Sequence, residues 1–153
     1  MVTQEPLFDK SQTARHMKRL IETYHNDLKG FFVTKNGKRQ SLMNLPLKDF
    51  FTFLKNIPYE KDIQPLEVIA RPQVLLQRHA PALDCKKKSI LMASWIKGNG
   101  YKYRLIGSSN RKTRKIHHVF PQIKTNAGFL NMDATYNDYR PFQQKKVTAW
   151  EIL

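Results

Sequence analysis

Between Ser11 and Lys29, apolar side chains return at steps of three and four. Met17, Leu20, Ile21, Tyr24 and Leu28 form one stripe, which predicts an amphipathic helix. Ser11 or Asp9 is placed to cap it and Gly30 to stop it, so it reads as a packing element. A short apolar run, Phe31 to Thr34, then ends in Lys35-Asn36-Gly37-Lys38, and Asn-Gly adopts the positive φ angles of a tight turn. A second helix is expected from Leu47 to Asn56, with Phe50, Phe51, Phe53 and Leu54 as its apolar surface, read as core, and Pro58 ending it. After an irregular stretch, Tyr59 to Pro65, the segment Ala70-Arg71-Pro72-Gln73 opens a short helix whose first turn suits Pro72. Val74, Leu75 and His79 make its inner face, and Pro81 separates it from the cysteine segment.

A further helix is predicted over Cys85 to Lys97, burying Ile90, Leu91, Ala93 and Ile96, with Gly98 and Gly100 around its end. Steps of three and four from Cys85 reach Ser89, Met92 and Ile96, so the sulfur heads a face that becomes apolar and points inward or into a cleft. Beyond it the period falls towards two. Tyr101 to Ile106, Ile116 to Ile123 and Phe129 to Ala134 read as strands. Gly107-Ser108-Ser109-Asn110 is expected to break the first, Arg111 to Lys115 is a basic loop, and Lys124 to Gly128 is a turn. Helices followed by an antiparallel sheet make the class α+β.

Composition bounds this picture. With 153 residues, 41% of them apolar, the chain can bury one sizeable core, so a single domain over 1–153 is expected. No window approaches the ~20 apolar residues that cross a bilayer. The start, Met1-Val2-Thr3-Gln4-Glu5-Pro6, lacks the order of a signal peptide, which predicts a cytoplasmic chain. One cysteine excludes an internal disulfide. His16 and His25 lack metal-ligand spacing and read as surface or core-edge residues; no metal or cofactor is expected. The net charge of +15 favours anionic partners such as nucleic acid, acidic lipid or envelope polymers.

Candidate chemistry gathers around Cys85. If the strands flanking Lys124 to Gly128 pair so that Ile123 faces Gly128, His118 faces Asp133 with Cβ atoms about 4.5–5.5 Å apart. Strand alternation turns His118, Phe120 and Gln122 one way and His117, Val119 and Ile123 the other, which selects His118 over His117. A helix N-terminus and an imidazolium both favour a thiolate, Lys86, Lys87 and Lys88 add positive potential, and an aspartate fixes the tautomer of its histidine.

At Asp84-Cys85 with Lys88-Ser89, at His118-Val119-Phe120-Pro121-Gln122-Ile123 and at Met132-Asp133-Ala134-Thr135-Tyr136, the chain resembles the transglutaminase-like superfamily of cysteine peptidases and acyltransferases, a branch of the papain-like fold. The match runs roughly from Ile57 to Tyr136 and includes Ala70-Arg71-Pro72-Gln73. The resemblance implies a core over 57–153 with a family-variable helical part over 1–56, and a central cysteine helix packed on an antiparallel sheet. It implies Cys85 as nucleophile, His118 as general base and acid, and Asp133 as the orienting residue. Leu83 replaces the family's usual glycine and Gln122 its acidic position. Gln73 and Gln77 are side-chain candidates for the oxyanion donor, with the Cys85 backbone N–H favoured over both.

The expected function is hydrolysis or acyl transfer at peptide or carboxamide bonds through a Cys85 thioester, with a peptidase or amidase favoured over a transamidase. A protein substrate, such as an acidic one, or a cell-wall peptide suits the basic surface, and a small virion-associated family member fits these features. The competing reading is a basic binding or virion structural module whose Arg111 to Lys115 loop holds nucleic acid or another anionic partner.

Overall fold

The computed structural model describes residues 3–4, 10–61, 66–67, 69–77 and 83–153, so Asp9, His79 and Pro81 lie outside the described residues. Strand β1 (Thr3–Gln4) leads to helix α1 (Lys10–Tyr24), which buries Ala14, Met17, Leu20 and Ile21. The α-helix stops short of Lys29, and His25–Gly30 winds as a 3-10 turn, consistent with the weak helix preference of Asn26 and Asp27. Asp27 instead accepts hydrogen bonds from Arg71 Nε at 2.8 Å, Arg71 Nη2 at 2.7 Å and the Gln73 amide at 3.0 Å, which ties this turn to a later helix. His16 is half-buried, and so is His25, whose Nδ1 lies 3.1 Å from the Ile21 carbonyl.

Strands β2 (Phe32–Lys35) and β3 (Lys38–Ser41) form a hairpin whose turn residues Asn36 and Gly37 have φ of 52° and 75°. The turn follows the sequence pattern; β3 does not announce itself there because Lys38, Arg39 and Gln40 are polar. Helix α2 (Leu47–Lys55) buries Phe50, Phe51 and Leu54, with Phe50 stacked on Trp95, so its aromatic cluster is core. Strand β4 (Leu66–Glu67) pairs with β1, and α3 (Pro72–Gln77) starts on its proline. Helix α4 (Cys85–Gly98) follows.

The main sheet is antiparallel, in the order β7-β6-β5-β8, from β5 (Tyr103–Ser109), β6 (His118–Thr125), β7 (Gly128–Asn131) and β8 (Ala149–Ile152). Helix α4 lies against β5 and β6 and is also packed by α1, α2 and α3. Every residue from Lys88 to Ile96 is buried, so α4 is enclosed around its circumference rather than along one stripe. One cluster of buried apolar side chains runs from Met17 to Ala134, and the N-terminal helices share it with the cysteine helix.

Four strand expectations need correction. Gly107 to Ser109 continue β5 instead of breaking it. A Cβ on Gly107 would stand 2.9 Å from Ile116 Cγ2, so glycine is there to let a neighbouring segment approach. β6 runs from His118 to Thr125, two residues later than the apolar pattern implies, and β7 runs only from Gly128 to Asn131, shorter than that pattern. β8 has no signal in the apolar pattern because its apolar residues face outward: Trp150 is 57% exposed, while Ala149 and Glu151 are half-buried. Finally, Thr125 pairs with Gly128 around a two-residue turn, so Ile123 faces Leu130 rather than Gly128. The register is displaced by two residues, which leaves every side chain on its predicted face.

Candidate functional site

Cys85 opens α4 because Asp84 caps it: the extended Asp84 backbone lets its Oδ1 accept the Lys87 amide at 2.9 Å. One turn on, Ser89 Oγ donates to the Val119 carbonyl at 3.1 Å, and the Val119 backbone N–H works to lower the Cys85 pKa. Ser89 thus grips the backbone of the residue after His118. This grip brings the nucleophile candidate to the start of β6.

His118 Nε2 lies 2.7 Å from Asp133 Oδ2, although Asp133 sits beyond the end of β7, outside the ladder, and the observed register does not set it directly opposite His118 as expected. The bond occupies Nε2 and leaves Nδ1 as the ring nitrogen open to a thiol. Asp133 is 4% exposed and fully engaged: Oδ1 accepts the Thr135 amide at 3.1 Å and the Thr135 hydroxyl at 2.5 Å, and Oδ2 also meets Lys145 Nζ at 2.5 Å. Burial works to raise the Asp133 pKa, but hydrogen bonds and positive charge from His118 and Lys145 outweigh it and hold the carboxyl down at about 2. His117 lines both clefts but is engaged by Asn110 and not by Asp133: its Nε2 lies 2.9 Å from Asn110 Oδ1 and accepts the Asn110 amide at 3.2 Å. Burial, and the charges of Arg111 and His118, lower its pKa.

The thiol departs from expectation. Cys85 is only 7% exposed, and burial, followed by the charge of Asp84, pushes its pKa up to about 12, with the Val119 N–H opposing. A resting thiolate is therefore not what this site stabilises, because the desolvation cost of the sulfur anion exceeds the help of the helix terminus. Lys88 is not an exposed source of potential either. It is 2% exposed, and its ammonium donates to the Thr135 carbonyl at 2.7 Å and to the Ile57 carbonyl. Burial lowers its pKa to about 8.

Two clefts meet at Cys85, His117 and His118. One, of about 220 Å³, is walled by Thr13, Ala14 and Met17 of α1 with Ile116, Val119 and Leu153. The other, of about 460 Å³, is lined by Tyr59, Tyr136, Tyr139, Gln143, Lys145 and Lys146, among others. Tyr59 and Tyr136 stand 5.0 Å apart between ring centroids, and Tyr136 meets Tyr139 edge-on.

The sequence pointed to Cys85, His118 and Asp133; Cys85 and His118 line both clefts, and Asp133 sits behind them, bonded to His118. Thr135 and Tyr136 entered only as part of the motif around Asp133, with no role assigned, and Lys145, Tyr59, Tyr139 and the contribution of α1 were missed, since none carries a periodic or spaced signal. Gln73 and Gln77 line neither cleft. By helix geometry the Cys85 amide has no acceptor within α4, so the Cys85 N–H remains the candidate oxyanion donor. Leu83 pairs with Tyr59 in an isolated bridge, which fixes the approach of Tyr59 to the cleft. Gln122 links Arg104 to Asn131. Among the described residues no group of histidine, cysteine and carboxylate side chains is placed to hold a metal, and no helix is long and apolar enough to cross a membrane. No family model, curated protein or solved structure matches the chain.

Proposed function

We propose that the chain is a cysteine-dependent hydrolase or acyltransferase of the transglutaminase-like kind, acting on peptide or carboxamide bonds. The observation that carries this reading is the His118 Nε2 to Asp133 Oδ2 bond of 2.7 Å beside the cleft that Cys85 lines. The histidine is oriented by a carboxylate that stays ionised, with its other nitrogen open. Because burial opposes a free thiolate, His118 acts as general base during attack. The Cys85 S–H proton passes to Nδ1 as the sulfur bonds to the carbonyl carbon, and the oxyanion is met by the Cys85 backbone N–H. His118 then returns the proton to the leaving nitrogen, the C–N bond breaks, and a thioester remains. Water or an amine, losing a proton to His118, releases the acyl group and restores the thiol.

The two clefts bear on the last step. An acyl donor seated in the polar cleft leaves the apolar one for the second nucleophile, so the preference for hydrolysis over transamidation rests on what enters past α1. The alternative, a basic binding or virion module, is supported by the exposed loop residues Arg111, Lys112, Arg114 and Lys115 beside β5.

p-Nitrophenyl acetate separates these. The enzyme reading expects a burst of nitrophenol and one acetyl group mapped to Cys85, lost in Cys85→Ala and slowed by about 10²–10⁴ in His118→Ala. Added primary amine then divides the acyl-enzyme between hydrolysis and aminolysis. No burst and no adduct at Cys85 would leave the binding module, whose nucleic-acid form shows a steep loss of affinity with salt.

A further inference from the structure

The polar cleft carries more positive charge than Cys85, His118 and Asp133 require. Lys145 sits at its wall, 2.5 Å from Asp133, with its ammonium 4.2 Å from the centroid of Tyr139 and 5.1 Å from that of Phe120. Its side chain is only 15% exposed, so the charge is fixed in place before anything binds. Lys146 comes next in the chain, exposed on the same cleft. None of the residues lining that cleft is acidic; Asp133 lies behind the wall, engaged by His118, Thr135 and Lys145. An ammonium has three N–H donors, and Asp133 takes one.

We propose that Lys145, together with Lys146, forms an anion-selecting subsite, so that the acyl donor carries a carboxylate close to the bond that Cys85 attacks. The inference rests on Cys85 being the nucleophile and names its substrate class as acidic peptides or carboxamides. Lys145 has two parts in it: it touches the substrate carboxylate, and it positions Asp133 against His118. A pre-fixed ammonium binds such a group without a reorganisation cost.

Iodoacetate and iodoacetamide test this directly. They are close in size, differ by one negative charge, and draw on the same thiolate population, so the ratio of their rates at Cys85 reports the local field and not the thiol pKa. Measured against glutathione at the same pH and salt, the ratio for the native chain is expected to be raised roughly fivefold, the effect of one unit charge at about 8 Å in a partly wet cleft. Lys145→Met should bring it to the glutathione value or below, Lys145→Arg should keep it, and Lys146→Met, at an exposed position, should lower it less. A wild-type ratio no higher than that of glutathione overturns the inference without any variant, as does a ratio that Lys145→Met leaves unchanged. Acetylation of Cys85 by p-nitrophenyl acetate in the same preparation shows that the nucleophile reading stands in either case. Absence of all reaction at Cys85 sinks both.

Discussion

Cys85 is pulled in two directions, and the balance decides how the site works. The helix terminus and the Val119 N–H favour a thiolate, while burial and Asp84 oppose it and prevail, placing the pKa at about 12. A thiol with a raised folded pKa binds its proton more tightly when folded. The stability it contributes is whole below the unfolded value of ~8.5 and is lost as pH rises from there towards 12. Native chain should therefore show no thiolate ultraviolet absorbance, taken against Cys85→Ser, at a pH just above ~8.5, where the unfolded chain does. The stability of Cys85→Ser relative to wild type should also rise with pH over that range, a difference in which the opposite trend of Lys88 cancels. A thiolate signal near neutral pH would contradict the general-base mechanism. Asp133 has the reverse sign. Its folded pKa of about 2 against an ordinary 3.8 corresponds to roughly 2–3 kcal/mol at ~1.4 kcal/mol per unit, present above pH ~4 and lost as pH falls towards 2. Urea titrations of Asp133→Asn should show that deficit at neutral pH and a narrowing gap on acidification. Residue identities were legible because three chemistry-bearing types fall at strand parity and at a helix start. The thiol's environment was not, because burial is a property of the packed core and not of the residues beside Cys85 in sequence.

At the scale of elements, the link that matters joins α4 to β6. Ser89 bonds the Val119 carbonyl, so the first turn of α4 and the first residues of β6 are aligned by that hydrogen bond, while the Val119 N–H favours the Cys85 thiolate. Lys88, on the same turn, ties the Ile57 and Thr135 carbonyls together, and Thr135 in turn holds Asp133. The functions of Ser89 and Lys88 are thus separable. Ser89→Ala should cost about 1 kcal/mol, the usual net worth of such a bond, yet slow acetylation of Cys85 by more than that loss of stability explains, since the sulfur loses its registration to His118. Thermal unfolding and burst rates on one preparation check this; an unchanged burst rate would dismiss the grip. Lys88→Met should be costlier, because two carbonyls lose their donor at about 1–3 kcal/mol each. Helices and the hairpin were readable from period and turn chemistry, whereas the exact register was not. The sequence reading paired Ile123 with Gly128 across a four-residue connection, whereas Thr125 pairs with Gly128 around a two-residue turn. That the two differ by an even number is why His118 was still correctly assigned to the face of Asp133.

For the whole molecule, the arrangement of layers turns a helix read as packing into part of the site. Helix α1 lies against α4, and its Thr13, Ala14 and Met17 wall the apolar cleft at Cys85, which Lys145 and Lys146 do not line. Its apolar stripe was visible in the sequence, but the partner that stripe meets is set by the tertiary arrangement, in which a fully buried α4 offers surface to α1 and β6 at once. The expected division into a variable helical part over 1–56 and a core over 57–153 therefore does not separate packing from the clefts, since α1 walls one of them. Thr13 is half-buried and polar, at the lip of the cleft rather than in the core, so Thr13→Phe narrows the cleft of about 220 Å³ with little loss of stability. If the second nucleophile enters past α1, the p-nitrophenyl acetate burst rate of this variant matches wild type, because acylation uses the polar cleft. Release of the acetyl group to a bulky primary amine falls several-fold relative to release to water. Loss of the burst itself would mean that the acyl donor, and not the acceptor, occupies the apolar cleft. Equal partitioning in the two proteins would mean that both reactants share the tyrosine- and lysine-lined side, leaving α1 a wall without a door.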